Sequence, residues 1–255
     1  MKLNNVLESK NPKFDKPEYI SQIYSAEDGD GRFEEVIKDC QDGQDVKSEK
    51  LNTSLGDIYI FYRGIGKKKK VLLTAGLHGN ESIGPKVASM LLSLKEIPPE
   101  ASVMVVPIMN PDGFKTQSRL NKQNHDSNRY FEDSQNPYKE LLEKIKQYNP
   151  TICIDLHEWH RNDGAFAYTN IDGIDKEIRK AIEYSGLDIS KKTSFHADKA
   201  DNGIVHHDPK NDKDSLVSWL DKNGYRFILP ESKAEADPWS QITYYKKIID
   251  LAFTI

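Results

Sequence analysis

The stretch of sequence that most restricts the fold is residues 71–94, which join a buried strand, a polar turn and a helix. It begins with the run Val-Leu-Leu-Thr-Ala, which is typical of a parallel strand buried on both faces. The chain turns at Gly76, and from Ser82 onward apolar residues recur at helical spacing up to Leu94. In open α/β sheets, ligands bind where a strand ends and the next helix begins. These residues therefore predict an α/β fold with a functional site at this junction.

The turn after this strand carries two side chains that can bind a metal ion. His78 and Glu81 lie three positions apart in the sequence His-Gly-Asn-Glu and can point towards one position. An imidazole nitrogen and a carboxylate are both ligands that Zn²⁺ accepts. The same pair also fits a loop histidine beside a glutamate that the dipole of the following helix stabilises. Taken alone, the two residues leave both interpretations open.

Composition narrows the class of protein. Among 255 residues, 36 Lys and Arg oppose 40 Asp and Glu, a net charge of −4 that does not favour nucleic acid or a membrane surface as a partner. The two cysteines, Cys40 and Cys153, argue against a disulfide framework and against a cysteine-based zinc site. No apolar segment is long enough to span a bilayer, and the N-terminus lacks the apolar region of a signal peptide. We therefore expect a cytoplasmic protein, and its oligomeric state is not predicted.

Strand and helix patterns alternate along the chain. Besides the strand at Val71, strands are predicted at residues 47–53, 57–62, 102–109, 151–158, 166–168 and 225–231, the last ended by proline. Besides the helix from Ser82, helices are predicted at residues 33–40, 137–148, 175–184, 215–224 and 239–253. Residues 115–136 and 188–212 are polar and lack a regular pattern, and a loop as long as the first is usually functional.

The chain shows no internal repeat and no linker composition. We therefore expect one domain over residues 1–255, in which residues 1–50 form an N-terminal extension and a first helix packed on the remainder.

Four predicted strands end in polar or ionisable side chains, and strand ends of one sheet lie side by side. These side chains are His78 with Glu81, Asn110 with Asp112, His157 with Glu158, and Glu231. His157 supplies a third metal ligand, and three protein ligands with one open position are the catalytic form of a zinc site. Glu231 is then available as a general base.

Two neighbours of His157 have side chains that could also bind a metal ion. Because strand residues alternate between faces, Glu158 should point away from His157, and neither Glu158 nor His160 is included in the predicted metal site. Asp155 can accept a hydrogen bond from His78 or from His157, as metal-bound imidazoles normally require.

The ordered motifs resemble the zinc carboxypeptidases of the carboxypeptidase A type over roughly residues 55–250. The motifs are residues 78–81 (His-Gly-Asn-Glu), 110–113 (Asn-Pro-Asp-Gly), 119–121, 126–131 (Asp-Ser-Asn-Arg-Tyr-Phe), 155–157 (Asp-Leu-His) and Glu231. The resemblance implies a three-layer α/β/α fold with a mixed, mostly eight-stranded sheet. The short chain looks most like bacterial members such as the murein-peptide amidases.

The resemblance also implies one zinc ion per chain and a role for seven residues. They are the zinc ligands His78, Glu81 and His157, the general base Glu231, the carboxylate-binding pair Asn128 and Arg129, and Arg119 beside the scissile carbonyl. These roles agree with the side-chain chemistry, because a guanidinium binds a carboxylate through two hydrogen bonds and can stabilise a developing oxyanion.

Two departures from the family pattern affect these expectations. The mobile tyrosine that closes over the substrate is missing, and the corresponding loop, residues 203–209, contains His206 and His207. Either histidine could replace it as a hydrogen-bond donor, and the alternative is an ordinary surface pair. Pro230 is unusual before the base, so Glu235 is an alternative to Glu231.

The sequence therefore predicts a zinc metallocarboxypeptidase that acts on a peptide or murein peptide with a free C-terminal carboxylate. One alternative is a deacylase of N-acyl amino acids, like succinylglutamate desuccinylase and aspartoacylase. The other is an inactive module that only binds carboxylates. The preferred terminal residue is not predicted.

Overall fold

The computed structural model describes residues 23–64, 66–93, 97–161, 163–212 and 214–255. In this part of the chain, ten strands form one sheet: β1 (Lys47–Thr53), β2 (Gly56–Arg63), β3 (Lys69–Ala75), β4 (Ala101–Val106), β5 (Ile152–Trp159), β6 (Phe166–Thr169), β7 (Ser194–Phe195), β8 (Asp198–Asp201), β9 (Ile204–His206) and β10 (Phe227–Lys233). Seven α-helices flank it: α1 (Gly29–Gln41), α2 (Ile83–Ser93), α3 (Pro111–Thr116), α4 (Lys139–Tyr148), α5 (Asp175–Tyr184), α6 (Leu216–Lys222) and α7 (Pro238–Ala252). The predicted α/β class is confirmed.

The sheet is mixed, with the order β1-β2-β4-β3-β5-β10-β6-β9-β8-β7. Its centre, β4-β3-β5-β10, is parallel, and antiparallel pairs lie on both sides of it. Parallel neighbours end at the same edge of a sheet, so the carboxyl ends of β3, β5 and β10 lie side by side.

Helices cover both faces of the sheet, because the central strands alternate between two apolar clusters. In β3, Val71 and Leu73 join a cluster with α1, α2, α5 and α7, whereas Leu72 joins a cluster with α4 and α6. All three side chains are fully buried, as expected for a strand covered on both faces. The result is the predicted three-layer arrangement. No helix in the described ranges is long and apolar enough to cross a membrane.

The number of strands differs from the expected eight. Strands β7, β8 and β9 lie within residues 188–212, where the sequence pattern predicts no strand, and each has only two to four residues. Such short strands contain too few alternations to produce a periodic signal. Residues 1–22 of the predicted N-terminal extension lie outside the described residues, as does Leu94 at the end of the predicted second helix. Helix α1 buries Phe33, Val36 and Ile37 in the larger cluster.

Pro230 lies inside β10 and does not end it, which corrects the expected boundary. Strand β10 pairs with β5 through Phe227 and Ile228 and again from Glu231 onward, with a gap at Leu229 and Pro230. Proline has no N–H group to donate, so the ladder breaks there. On its other side, Pro230 still pairs with Ala167 of β6. The strand therefore continues through the proline and carries Glu231 to the edge of the sheet.

Two glycines allow the turn that carries His78 to pack closely. Gly76 has φ +61°, a left-handed conformation that favours glycine. A Cβ atom on Gly79 would lie 1.9 Å from the backbone carbon of Gly113, at the start of α3. Asn110 begins α3 by accepting a hydrogen bond from the Gly113 N–H at 3.0 Å. The Asn-Pro-Asp-Gly motif thus forms a helix start against which the His-Gly-Asn-Glu turn rests.

Gly79→Ala should therefore destabilise the protein by about 1–3 kcal/mol, since the added methyl group has no space. The measurement is the free energy of unfolding in urea. Gly224→Ala is the comparison variant: Gly224 has positive φ, so this change adds backbone strain, but a Cβ atom there would have no atom of the described residues within 4 Å, so it adds no overlap. Equal stability of Gly79→Ala and the parent protein would contradict this account of the turn.

Candidate metal centre and substrate cavity

His78, Glu81 and His157 meet at the carboxyl ends of two adjacent strands. The first two lie between β3 and α2, and His157 lies on β5, whose residue Leu156 pairs with Ala75 of β3. Glu81 Oε1 lies 2.6 Å from His78 Nδ1, and Glu81 Oε2 lies 2.9 Å from His157 Nδ1. One ligand atom from each residue lies within 4.8 Å of the others, and all three side chains are buried. The predicted set of ligands is therefore brought together.

A second carboxylate lies beside the outer nitrogen of each histidine. Asp155 Oδ2 lies 2.8 Å from His157 Nε2, and its other oxygen accepts a hydrogen bond from Thr74 at 2.6 Å. Asp155 is thus the hydrogen-bond partner of His157 and not of His78, the two possibilities that the sequence left open. Asp126 Oδ1 lies 3.3 Å from His78 Nε2. Partners of this kind direct the inner nitrogens of metal-binding imidazoles towards the ion.

The protonation of this cluster is strongly perturbed. Burial alone would lower the pKa of both histidines. The negative charges of Glu81 and Asp126 nevertheless raise the pKa of His78, and those of Asp155 and Glu81 raise the pKa of His157 well above its usual value. Although burial alone would raise it, the two positive rings hold the pKa of Glu81 well below its usual range. The metal-free cluster therefore favours protonated histidines around charged carboxylates.

The donor set fits a divalent cation on chemical grounds. Two imidazole nitrogens and one carboxylate are ligands suited to such an ion. In the metal-free protein, three carboxylates (Glu81, Asp126, Asp155) face three cations (protonated His78, protonated His157, Arg119). Replacing the two histidine protons by one dication leaves this balance unchanged. The cluster therefore has the chemistry of a metal site.

Glu231 lies beside the triad on β10, in register with His157 on β5. It is 9% exposed, and its Oε2 has no hydrogen-bond partner among the described residues. Burial raises the pKa of Glu231 to about 7, with His157 opposing and Glu81 adding to the shift. A carboxylate with such a pKa can both accept and donate a proton near neutral pH.

The alternative base, Glu235, lies elsewhere. It is exposed and lines a second cavity of about 260 Å³ together with Ser82 and Gln241. Glu158 lies in the lining of both cavities, and its Oε1 accepts a hydrogen bond from the Ile83 N–H at the start of α2, at 2.7 Å. Glu158 therefore binds the helix and does not join the metal triad, as strand alternation indicated.

Arg119 lies next to the metal ligands. Its Nη1 is 3.3 Å from His78 Nδ1 and 3.9 Å from Glu81 Oε1. Asp126 holds the guanidinium through Nε at 3.3 Å and Nη2 at 3.0 Å. A cation held in this position can stabilise negative charge that develops beside the metal ligands.

Asn128 and Arg129 follow Asp126 in a short 3₁₀ turn, in which Asp126 Oδ1 accepts a hydrogen bond from the Asn128 N–H at 2.9 Å. Asn128 is buried, and its Oδ1 accepts from the Leu216 N–H at 2.9 Å, so its amide nitrogen is the group that can donate to a ligand. Arg129 is exposed, and its Nη1 donates to the Asn128 carbonyl oxygen at 2.6 Å and lies 3.9 Å from Asp212 Oδ2.

One cavity of about 380 Å³ connects all seven predicted residues, from the metal triad and Glu231 to Arg119, Asn128 and Arg129. Trp159, His160 and Arg161 also line it. The sequence therefore identified groups that the tertiary structure places around one space.

The two histidines proposed to replace the missing tyrosine lie in different places. His206 is half-exposed, with its Nε2 3.4 Å from Asp175 Oδ2, and it does not line the cavity. His207 does line the cavity, but its ring is held between Asp198 Oδ2 at 3.3 Å and Ser218 Oγ at 3.0 Å. The structure thus separates the pair, because neighbouring residues at the end of β9 point in opposite directions.

The residues of the site that were not predicted to belong to it include Asp126, Tyr168, Asp198 and Asp212. Asp126 had a signal in the sequence, since an aspartate two positions before Asn128 can form an Asx turn. The other three lie on β6, on β8 and in the loop before α6, and no local pattern links them.

Solved structures share this arrangement of strands and helices. A candidate metallopeptidase of Shewanella baltica superposes with a TM-score of 0.75 and 17% identity, over 88% of this chain and 91% of that one. The murein-tripeptide amidase of Escherichia coli O157 superposes with a TM-score of 0.56 and 17% identity, over 80% and 91%. The chain has the zinc carboxypeptidase fold. The resemblance inferred from the ordered motifs is thereby confirmed.

Another protein of this fold has a bound ligand. The metallo-carboxypeptidase of Pseudomonas aeruginosa, in complex with (2-guanidinoethylmercapto)succinic acid, superposes with a TM-score of 0.64 and 13% identity, over 87% of this chain and 69% of that one.

A family model matches the sequence as well. Residues 67–189 match the succinylglutamate desuccinylase/aspartoacylase catalytic domain, a little under half of the chain. The matched segment contains the metal triad, Arg119 and the Asn128–Arg129 pair, and it ends before Glu231. No curated protein matches the chain significantly.

Metal binding should release protons, because both histidines carry raised pKa values and must lose their protons to bind a cation. We expect about one zinc ion per chain, release of up to about two protons near neutral pH, and weaker binding as pH falls. Titration calorimetry in two buffers of different ionisation enthalpy measures the proton count. His157→Ala should abolish binding, whereas the control His160→Ala should retain it. Zinc binding without proton release would contradict the charge assignment.

Proposed function

We propose that this protein is a zinc-dependent metallocarboxypeptidase, which hydrolyses the bond before the C-terminal residue of a peptide or murein peptide. The observation that carries the proposal is the shared cavity. It places the buried triad and Glu231 together with two donors suited to a carboxylate, Asn128 and Arg129.

Zinc would be held by His78, Glu81 and His157, and when bound it would supply Lewis acidity that polarises a carbonyl and lowers the pKa of water. Glu231 accepts the proton of the attacking water and delivers it to the leaving nitrogen. Its burial supports this role, because a pKa of about 7 suits both directions of transfer. Arg119 donates to the carbonyl oxygen as negative charge develops there.

The carboxylate of the substrate would be bound by Arg129 and Asn128. Arg129 can donate two parallel hydrogen bonds to a carboxylate, and the Asn128 amide nitrogen adds a third because its oxygen is engaged by α6. Arg129 Nη1 donates to the Asn128 carbonyl oxygen at 2.6 Å and lies 3.9 Å from Asp212, which leaves Nη2 and Nε able to bind a substrate. These donors position the bond to be cleaved between Glu231 and the metal site.

A zinc-dependent deacylase of N-acyl amino acids is the second candidate, and the family-model match over residues 67–189 favours it. Both candidates need the same triad and the same carboxylate donors, and they differ in what precedes the cleaved amide. The motif at residues 110–113 and the long loop up to Arg129 favour the peptidase. The similarity to a murein-tripeptide amidase supports a cell-wall peptide as one substrate to test. A cytoplasmic location is part of the proposal.

A substrate screen with the zinc-loaded protein tests the function. We expect cleavage of peptides with a free C-terminal carboxylate or of murein tripeptide, and no cleavage of the corresponding C-terminal amides. Cleavage of N-acetyl and N-succinyl amino acids alone would establish the deacylase. Glu231→Gln should lower kcat by about 10²–10⁴-fold with unchanged zinc content, whereas the control Glu235→Gln should retain activity. Turnover of no substrate at full zinc occupancy would contradict both candidates and favour a binding module.

Arg129→Ala should weaken substrate binding much more than metal binding. Loss of a charge-assisted, bidentate contact is expected to lower kcat/KM by about tenfold to a hundredfold, mainly through KM. The control is Arg179→Ala, since Arg179 lies on α5 and bonds Asp201 outside the cavity. Zinc content measured in both variants should match the parent protein. Loss of zinc together with activity in Arg129→Ala would show that the residue is structural.

A further inference from the structure

Part of the cavity lining, which we call the side-chain recess, consists of Tyr168, Asp198, His207, Asp212, Val217 and Leu229. It lies beside the carboxylate donors, since Asp212 is adjacent to Arg129. If Arg129 holds the carboxylate of the terminal residue and Glu231 faces the scissile bond, the side chain of that residue enters this recess.

Tyr168 lies on the same face of the sheet as Glu231. On β6 it pairs with Leu229 of β10 on one side and with Val205 of β9 on the other. Leu229 and Glu231 are two positions apart on β10, so their side chains share a face. Tyr168 is therefore the diagonal cross-strand neighbour of Glu231, a separation that a tyrosine side chain can span.

The hydroxyl group of Tyr168 is buried without a hydrogen-bond partner among the described residues. The residue is 8% exposed, and its ring packs against Phe166 and His207, with centroids 5.8 Å and 6.5 Å apart. A hydroxyl group that loses water without gaining a partner is unfavourable in the folded protein. Because Tyr168 also lines the recess, a polar ligand group bound there can supply the partner that this hydroxyl lacks.

Its polar neighbours are engaged with each other. Asp198 Oδ1 accepts from the Asp208 N–H at 3.2 Å and from Asn211 Nδ2 at 2.7 Å, and its Oδ2 lies 3.3 Å from His207 Nδ1. This network holds the wall of the recess in place. Burial, together with the charges of Glu231, Asp198 and Asp212, raises the pKa of Tyr168, so its hydroxyl stays protonated and can donate.

We propose that Tyr168 determines specificity by hydrogen bonding to the side chain of the residue that is released, so that a polar, uncharged side chain is preferred to an apolar one of equal size. This inference rests on the proposed function, because it concerns the amino acid whose carboxylate Arg129 holds. An apolar side chain leaves the buried hydroxyl unpaired, and sites built for a hydrogen bond discriminate against substrates that lack it.

The negative charge of the recess should also discriminate against anionic side chains of the substrate. Asp198 and Asp212 both line it, so an anionic side chain is repelled there. Asparagine, leucine and aspartate have side chains of nearly the same size and differ in polarity and charge. They therefore test the two selections separately.

The experiment compares kcat/KM for three peptides that differ only in a terminal Asn, Leu or Asp, with zinc-loaded parent protein and Tyr168→Phe. The parent should prefer Asn to both others. Tyr168→Phe should lower kcat/KM for the Asn peptide about five- to tenfold, mainly through KM, and leave the Leu peptide unchanged. Tyr184→Phe is the matched control, because that tyrosine is 61% exposed on α5. Zinc content and thermal unfolding of each variant verify the fold.

If Tyr168→Phe leaves the ratio of kcat/KM for the Asn and Leu peptides unchanged, the inference is overturned and the proposed peptidase stands. An equal loss of kcat/KM on all three peptides has the same consequence. A parent protein that prefers Leu or Asp would overturn it as well. If the parent cleaves no peptide, the proposed peptidase fails on its own. The same comparison is then made with the three N-acetyl amino acids and, by calorimetry, with the three free amino acids. In these experiments, a preference for the Asn compound that is lost in Tyr168→Phe supports the inference. If the parent protein shows no such preference, or Tyr168→Phe retains it, the inference is overturned.

Discussion

The carboxylate of Glu81, buried between two imidazole rings, is the contact on which the rest of the site depends. Its two oxygens lie 2.6 Å and 2.9 Å from the inner nitrogens of His78 and His157. Removing a carboxylate from water costs several kcal/mol unless opposite charges and hydrogen bonds compensate it. Here the compensation continues outward, since Asp126 and Asp155 face the outer nitrogens of the rings. The cluster is thus a chain of alternating charges, in which exchange of two protons for one dication would leave the net charge unchanged.

Because side chains alternate along a strand, β5 contributes residues to both faces of the sheet. His157 faces the cavity, whereas the next residue, Glu158, binds the first backbone N–H of α2 on the opposite face. Burial raises the pKa of Glu158 to about 8, with the nearby charge of Glu81 adding to the shift. Because α2 follows directly after Glu81, this contact ties the turn that carries the metal ligands to the strand that carries the third one. Positioning of the triad therefore depends on both faces of the sheet.

The sequence predicted the parts of the site that lie in ordered local motifs. His78, Glu81, Asn128 and Arg129 each belong to a short pattern with a turn or strand end beside it, and the structure places all of them around one cavity. Residues contributed singly by distant elements left no such pattern. Tyr168 is one example, since a tyrosine within a short apolar strand looks like a core residue until its neighbours across β10 and β9 are known.

By itself, the sequence determined the fold class, the order of the central elements and the residues able to bind a metal ion, because these follow from periodicity and side-chain chemistry. The tertiary structure decided the pairings. It assigned Asp155 to His157, separated His206 from His207, and placed Tyr168 in the cavity lining with its hydroxyl lacking a partner among the described residues. It also let Pro230 remain inside β10, where β6 pairs with it across the break in the β5 ladder. Each of these depends on which strands become neighbours, and contacts between residues far apart in the chain leave no periodic signal within any one segment.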